Sequence, residues 1–522
     1  MVNQVTSISF SIENNSHSKE ETADYEKALK LCGYGSFHYK FVFVCGIMFL
    51  SAGLQNGVNA YILPAAGCDL QLSSEEKGFL NVAFLVGGVV SSLVWGIASD
   101  VYGRKNILLG TLMADSFVCL MASLSQSFTM LLCFRTISGF TIGAPGALVF
   151  AYLGEFHSEK QRSKSICYVG FFWTISWLIL PGLAWIIIPL TFSLKVYGYI
   201  FNSWRLFLLL TGIPSFIISF IGMNYPESPK FLLAKNKPEE ALRVLRKIYA
   251  GNTGRDESDY PVKYLINDDG LILNTKGKES EEEEFNLTKF LKNIWKQIRA
   301  LCSPPLLKYI FLSCLIFFLN MFGYYGLGLW LPELFNRFES HYKHHPNISV
   351  TVCELINNAN KSDVLNLSKR DLSCTGMNEQ VFVNTLIINA ICLLGNITSG
   401  FLADRVGRRT IPVTTMLVAG IASLAIYFVR TSLQNLIVSC IFSLAIATAN
   451  FALSGAVVDI FPTHVGAMAI CLSVCFGRIG AIVSNLIFGM LLDISCDIPI
   501  FLVASMVLLG GFLGFLIPQS KS

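Results

Sequence analysis

Three ionisable side chains interrupt long apolar stretches of this 522-residue sequence: Asp115, Arg135 and Arg478. A charge held in hydrocarbon costs at least ~2.5–3.5 kcal/mol, so such residues mark solute or ion paths or pair with one another. Arg135 can serve coupling or gating, or form a structural pair with Asp115. Arg478 has no acid close by in its own run. A guanidinium so placed can hold a solute anion in a bidentate grip. It can equally snorkel or bond helix carbonyls. Asn56, Asn59 and Asn389 are amides within apolar runs, fit for solute contact or for helix packing. Trp173 and Trp177 lie four apart and share one helix face. With Tyr324 and Tyr325 they offer stacking surfaces for a flat or partly apolar solute, or simple packing.

The elements that must hold these residues are set by composition. Hydrophobic residues make up 53% of the chain and charged ones 14%, and the mean hydropathy is +0.55. Those values exclude an ordinary soluble domain. Twelve apolar runs, each able to cross a bilayer as a helix, fall near 41–63, 79–98, 107–124, 128–152, 166–190, 204–223, 307–331, 382–403, 411–429, 433–457, 467–490 and 498–516. The chain is expected to be an all-α membrane protein with twelve transmembrane helices in two six-helix bundles. Residues 1–36 read as a polar tail, 37–223 as the first bundle and 224–306 as a linker with a short amphipathic helix at "PEEALRVLRKIY". Residues 307–516 read as the second bundle and 517–522 as a short end. No apolar leader segment opens the sequence.

Basic residues at 104–105, 160–164 and 405–409 occupy alternate loops, and the linker falls on the same side. That bias assigns this side, and both termini, to the cytosol. The opposite loop at 332–380 carries sequons at Asn347, Asn360 and Asn366 and the cysteines Cys353 and Cys374. An outward or lumenal loop with glycans and one disulfide is expected there.

One loop occurs twice. "GIASDVYGRK" ends the second run and "GFLADRVGRR" ends the eighth. Gly96 and Gly400 would let helices approach, Asp100 and Asp404 would pair with bases, and Gly103 and Gly407 would permit a tight turn. Arg104 and Arg408 would then bond acids or helix ends. The pattern G-x-x-x-D-x-x-G-R-[KR], present in both halves of a 6+6 layout, resembles the loop signature of the major facilitator superfamily. The resemblance implies two bundles related by an axis along the membrane normal. "YLGEFHSEKQR", with Glu155 seven residues before Arg162, resembles the sugar-porter E-x6-R element, and "YPESPK" the element after the sixth helix. In the second half "DIFPTHVG" offers Asp459 but has Gly466 where an arginine is expected.

"FRTISGFTIGAPGALVFAYLGEF" and "FGYYGLGLWLPELF" are similar to the synaptic vesicle glycoprotein 2 group, whose glycosylated loop also follows the seventh helix. The resemblance implies a secondary-active or facilitative transporter of a small organic solute, an anion being one candidate. Asn56, Asn59, Asp115, Arg135, Trp173, Trp177, Tyr324, Tyr325, Asn389 and Arg478 would line its path. The alternative is a transporter-like vesicle glycoprotein acting mainly in trafficking. Scarce acids in the path argue against proton coupling and leave Asp115 as its one central candidate. Expected partners are the solute, the lipid bilayer and a coupling ion, with no nucleic acid, and the chain is expected to be a monomer in a plasma or vesicle membrane. There is no phosphate-cradling loop and no metal-ligand spacing. No cofactor and no enzyme activity are expected.

Overall fold

The computed structural model describes residues 22–196, 199–265, 292, 295–296, 298–344, 378–406, 409–461, 463–492, 495 and 497–517. Within these, the side chains at 92–93, 163, 196, 340–344, 399–406, 458–459, 463–465 and 467 are excepted. In the first half the helices are α1 (Tyr25–Leu31), α2 (Ser36–Gly57), α3 (Asn59–Asp69), α4 (Ser74–Tyr102), α5 (Arg104–Ser123), α6 (Phe128–Gly154), α7 (Glu159–Ile187) and α8 (Ser203–Met223). The linker carries α9 (Pro229–Ala234) and α10 (Pro238–Thr253). The second half has α11 (Leu306–His344), α12 (Glu379–Val406), α13 (Thr410–Phe428), α14 (Ser432–Ile460), α15 (Thr463–Leu491) and α16 (Asp497–Gly514). Among the described residues 11 helices are long and apolar enough to cross a membrane. The twelfth span is α4, bent by 41° between Ser91 and Val94. α2 and α3 together make the first span, Ser36–Asp69.

The duplication is visible in the packing. In the first half α2 packs on α7, α4 on α6 and α5 on α8; in the second α11 packs on α15, α12 on α14 and α13 on α16. The bundles meet along α4 with α15 and α7 with α12. Small residues set the closest approaches. A Cβ on Gly78 would sit 2.9 Å from Gly489 Cα, and one on Gly139 2.0 Å from the Phe84 carbonyl oxygen. Without lipid-water contrast to drive helices together, such close backbone contact is what holds them. At Gly96, by contrast, a Cβ would meet nothing within 4 Å. The close approach expected there occurs instead where Gly87 and Gly139 join α4 to α6, because α4 turns the Gly96 position away from its neighbours.

α10 starts on Pro238, as its sequence leads one to expect, and ends at Gly254 with φ +71°, a left-handed stop that glycine adopts freely. Its buried Ala241, Val244, Leu245 and Ile248 recur at helical spacing. β1 (Thr22–Ala23) pairs in parallel with β4 (Tyr264–Leu265), and Asp24 caps α1 by accepting from Lys27 N at 2.7 Å. β2 (Ser193–Val196) and β3 (Tyr199–Asn202) form an antiparallel hairpin between α7 and α8. The seventh span also runs past its apolar limit. α11 continues to His344, so residues 332–344, expected in the loop, are helical.

Candidate functional site

A cavity with about 750 Å³ of free space, open solvent included, lies where the bundles meet. α3 contributes Tyr61, α7 Trp173 and Trp177, α11 Tyr324, α12 Asn389 and α14 Phe442. Among the described residues no lining side chain is charged. Trp177 and Tyr324 stand edge to face at 6.5 Å. Tyr61 comes from the first bundle and Tyr324 from the second, so both bundles supply a phenol to the cavity wall. The indole N–H of Trp177 is buried with no partner among the described residues.

Asp115 and Arg135 lie elsewhere, sealed inside the first bundle. Arg135 donates to the Gln55 side chain at 3.0 Å and to the Gln55 carbonyl at 2.8 Å. Its guanidinium also covers the Phe84 ring at 4.7 Å. Ser138 stands between the two charges: it accepts from Arg135 at 3.5 Å and donates to Asp115 at 3.0 Å. Ser215 donates to the other Asp115 oxygen at 3.1 Å. Spans one, three, four and six are thus cross-linked through one buried ionic network. Asn59 donates to the Leu80 carbonyl at 3.2 Å and links the first two spans. The Asn56 side-chain oxygen, near the end of α2, is buried with no partner among the described residues, and the Tyr325 carbonyl accepts from Asn485 at 3.4 Å.

A second cluster closes the interface at the end of the bundle away from the basic loops, here called the opposite face. Lys77 Nζ bonds Glu333 Oε1 at 2.9 Å. Arg337 holds the same oxygen at 3.1 Å and donates to Ser74 at 3.0 Å. Just inside, Asn485 accepts from Asn81 at 3.2 Å and from the Trp330 indole at 3.1 Å. Arg478 lies deeper still. It donates to the Gly88 carbonyl at 2.9 Å and is not among the cavity-lining residues. Sequence reasoning missed Lys77 and Glu333. They sit just beyond the ends of apolar runs, where charge is ordinary, and only the continuation of α11 to His344 signals that Glu333 is intrahelical.

On the basic face, Gly103 turns with φ +101°. A Cβ there would strike Glu227 Oε2 at 2.2 Å, so this turn needs glycine for both conformation and space. Glu227 accepts from Lys105 N at 3.0 Å and Ser228 N at 2.9 Å. Arg104 pairs with Asp100 at 2.8 Å, reaches Glu155 at 3.4 Å and lies over the Phe231 ring. Arg162 donates to the Gly154 carbonyl at 3.0 Å and to Glu26 at 2.9 Å. Glu26 was not singled out from the sequence because it lies in the polar tail. Gly407, Arg408, Cys353, Cys374, Asn347, Asn360 and Asn366 lie outside the described residues, as do the Gly400, Asp404 and Asp459 side-chain positions.

The sequence model described as Major Facilitator Superfamily matches residues 45–356. Synaptic vesicle glycoprotein 2C of Mus musculus is 24% identical, covering 98% of this chain and 82% of that protein. Synaptic vesicle glycoprotein 2B of Homo sapiens is 25% identical, covering 95% and 86%. Among solved structures, the partially occluded inward open conformation of the xylose transporter XylE from E. coli superposes with TM-score 0.64 at 16% identity. It covers 94% of this chain and 99% of that one.

Proposed function

From the premise that the chain belongs to the major facilitator superfamily, we propose that it moves a small, flat, uncharged organic solute across a membrane by alternating access. The carrying observation is the cavity between the bundles, aromatic and, among the described residues, lined by no charged side chain. Stacking on Trp177 and Tyr324 suits a planar body. The free Trp177 indole N–H suits a ligand acceptor, since a buried donor left unpaired is costly. Arg478 already donates to a backbone carbonyl, which favours its structural role over an anion site. Asp115 is locked between serines, which favours facilitated movement over proton coupling. In this reading the basic loops, with both termini, face the cytosol, and the sealed opposite face makes the described state one that opens inward. The divisions 1–36, 37–223, 224–306, 307–516 and 517–522 are the functional segments. Asn347, Asn360 and Asn366 would carry glycans and Cys353 would pair with Cys374 on the outer or lumenal side.

Uptake into proteoliposomes against a panel of neutral, cationic and anionic solutes, with and without a pH gradient, tests the reading. A neutral planar solute should accumulate to equilibrium independently of the gradient, and Trp177→Ala or Tyr324→Ala should abolish its flux. Flux that survives both substitutions, or that needs a proton gradient, overturns it. The names of the vesicle glycoprotein relatives favour a second reading, residence in a vesicle membrane with a trafficking role. There, the panel yields no flux and loss of the tail impairs trafficking.

A further inference from the structure

Two arginines and two acids crowd one corner of the basic face, and one of the acids comes from outside the bundle. Arg162, in the first turns of α7, spends its Nε on the Gly154 carbonyl, and its terminal nitrogen on the His157 carbonyl at 3.3 Å and on Glu26 Oε1 at 2.9 Å. The second Glu26 oxygen accepts from Glu159 N at 3.3 Å. Beside it, the Tyr25 hydroxyl donates to the Glu155 carbonyl. That hydroxyl feels the charges of Glu155, Glu26 and Arg162 together. Glu155 itself reaches Arg104 through Oε1 at the long distance of 3.4 Å, while its Oε2 is buried without a hydrogen-bond partner.

We infer that the segment Thr22–Cys32 is a working part of the basic-face gate, and that Glu26 decides which acid each gate arginine holds. With Glu26 in place, Arg162 is satisfied and Glu155 is left to Arg104. Without the Glu26 charge, the acid next in the chain to the Arg162 carbonyl ligand is Glu155, whose Oε2 is buried without a hydrogen-bond partner, and the freed guanidinium turns to it. It takes that oxygen, and Arg104 loses Glu155. Glu26 is therefore a positioning residue for the loop 100–106, although it touches none of it.

The segment is also tied to the linker. Tyr260 donates to the Ala28 carbonyl at 2.7 Å, and Asn252 donates to the carbonyls of Cys32 and Gly33, both at 3.1 Å. β1 adds its ladder to β4. A pull on the linker, which leads to the second bundle, thus reaches Glu26 through backbone bonds. That the loop 100–106 is a gate rests on the proposed transport function; the coupling from Glu26 to that loop does not.

Hydrogen-exchange mass spectrometry on the full chain in nanodiscs tests the coupling without any solute. Glu26→Gln should raise amide exchange across residues 100–106 roughly two- to fivefold, the factor a half-exposed ion pair carries. Glu26→Asp should restore it. In an Arg162→Gln background, Glu26→Gln should add nothing at 100–106, because Arg162 is no longer there to compete with Arg104 for Glu155. Exchange that rises only at 22–34 and 155–162, or that rises equally in the Arg162→Gln background, overturns the inference. A chain that shows the coupling but carries no solute in proteoliposomes refutes the transport reading alone.

Discussion

Replacing Glu333 with glutamine should open the opposite face. Lys77 on α4 and Glu333 on α11 meet at 2.9 Å with side chains only 11% and 10% exposed. At that distance and an effective dielectric near 20 the attraction is about 6 kcal/mol. Much of it offsets desolvation, and Arg337, on the same helix as Glu333, keeps its half of the interaction when the bundles part. A net latch of about 2–3 kcal/mol remains. Glutamine also leaves two cations, Lys77 and Arg337, facing each other across the seam. The ratio of open to sealed forms should therefore rise by roughly 30- to 150-fold. The assay is labelling of a Leu331→Cys probe on the cavity wall by a membrane-impermeant maleimide added from the opposite face, with the parent chain as background. Glu333→Gln should accelerate it and the exchange Lys77→Glu with Glu333→Lys should slow it again. If Glu333→Gln labels no faster than the Leu331→Cys parent, or if the charge exchange labels as fast as Glu333→Gln, the latch argument fails.

Arg135→Ala should lower stability by about 1–3 kcal/mol, because it leaves two buried Gln55 oxygens without their donor and takes the nearby positive charge from Asp115; thermal unfolding in detergent reads the loss, and an unchanged Tm would contradict the network. Gly78→Leu should trap the opposite face open, since even a Cβ there meets Gly489 Cα at 2.9 Å; the Leu331→Cys labelling rate checks it. His157 is held down to about 4 by burial, by the neighbouring His38 and by Arg162. Its neutral form is thus favoured in the fold, so its contribution is full above the ordinary value of about 6.5 and is lost as pH falls toward 4. The turn 154–158 should loosen by roughly 2 kcal/mol by pH 5, read as faster amide exchange there, and His157→Asn should remove the dependence.

Much of this molecule is decided by local chemistry that a sequence displays. Bilayer thickness and the need to satisfy backbone groups inside lipid dictate the twelve helices from run length alone. The doubled loop dictates the pairing of halves. Pro238 opens α10 as first-turn preferences require. The aromatic candidates Trp173, Trp177 and Tyr324, with Asn389, do converge on one cavity, because helical spacing fixes which side chains share a face. Partnerships between distant residues were not legible. Asp115 and Arg135 are adjacent spans' charges, yet Ser138 comes between them and Arg135 donates to Gln55 instead. Arg478 meets a carbonyl 390 residues away, and Lys77 meets an acid 256 residues away. Glu26, in a polar tail, completes the corner around Arg162. Periodicity reports one helix at a time, whereas an ion pair depends on the rotation and height of two helices relative to each other. Those quantities are set by where glycines let backbones touch, and only the packed structure fixes them.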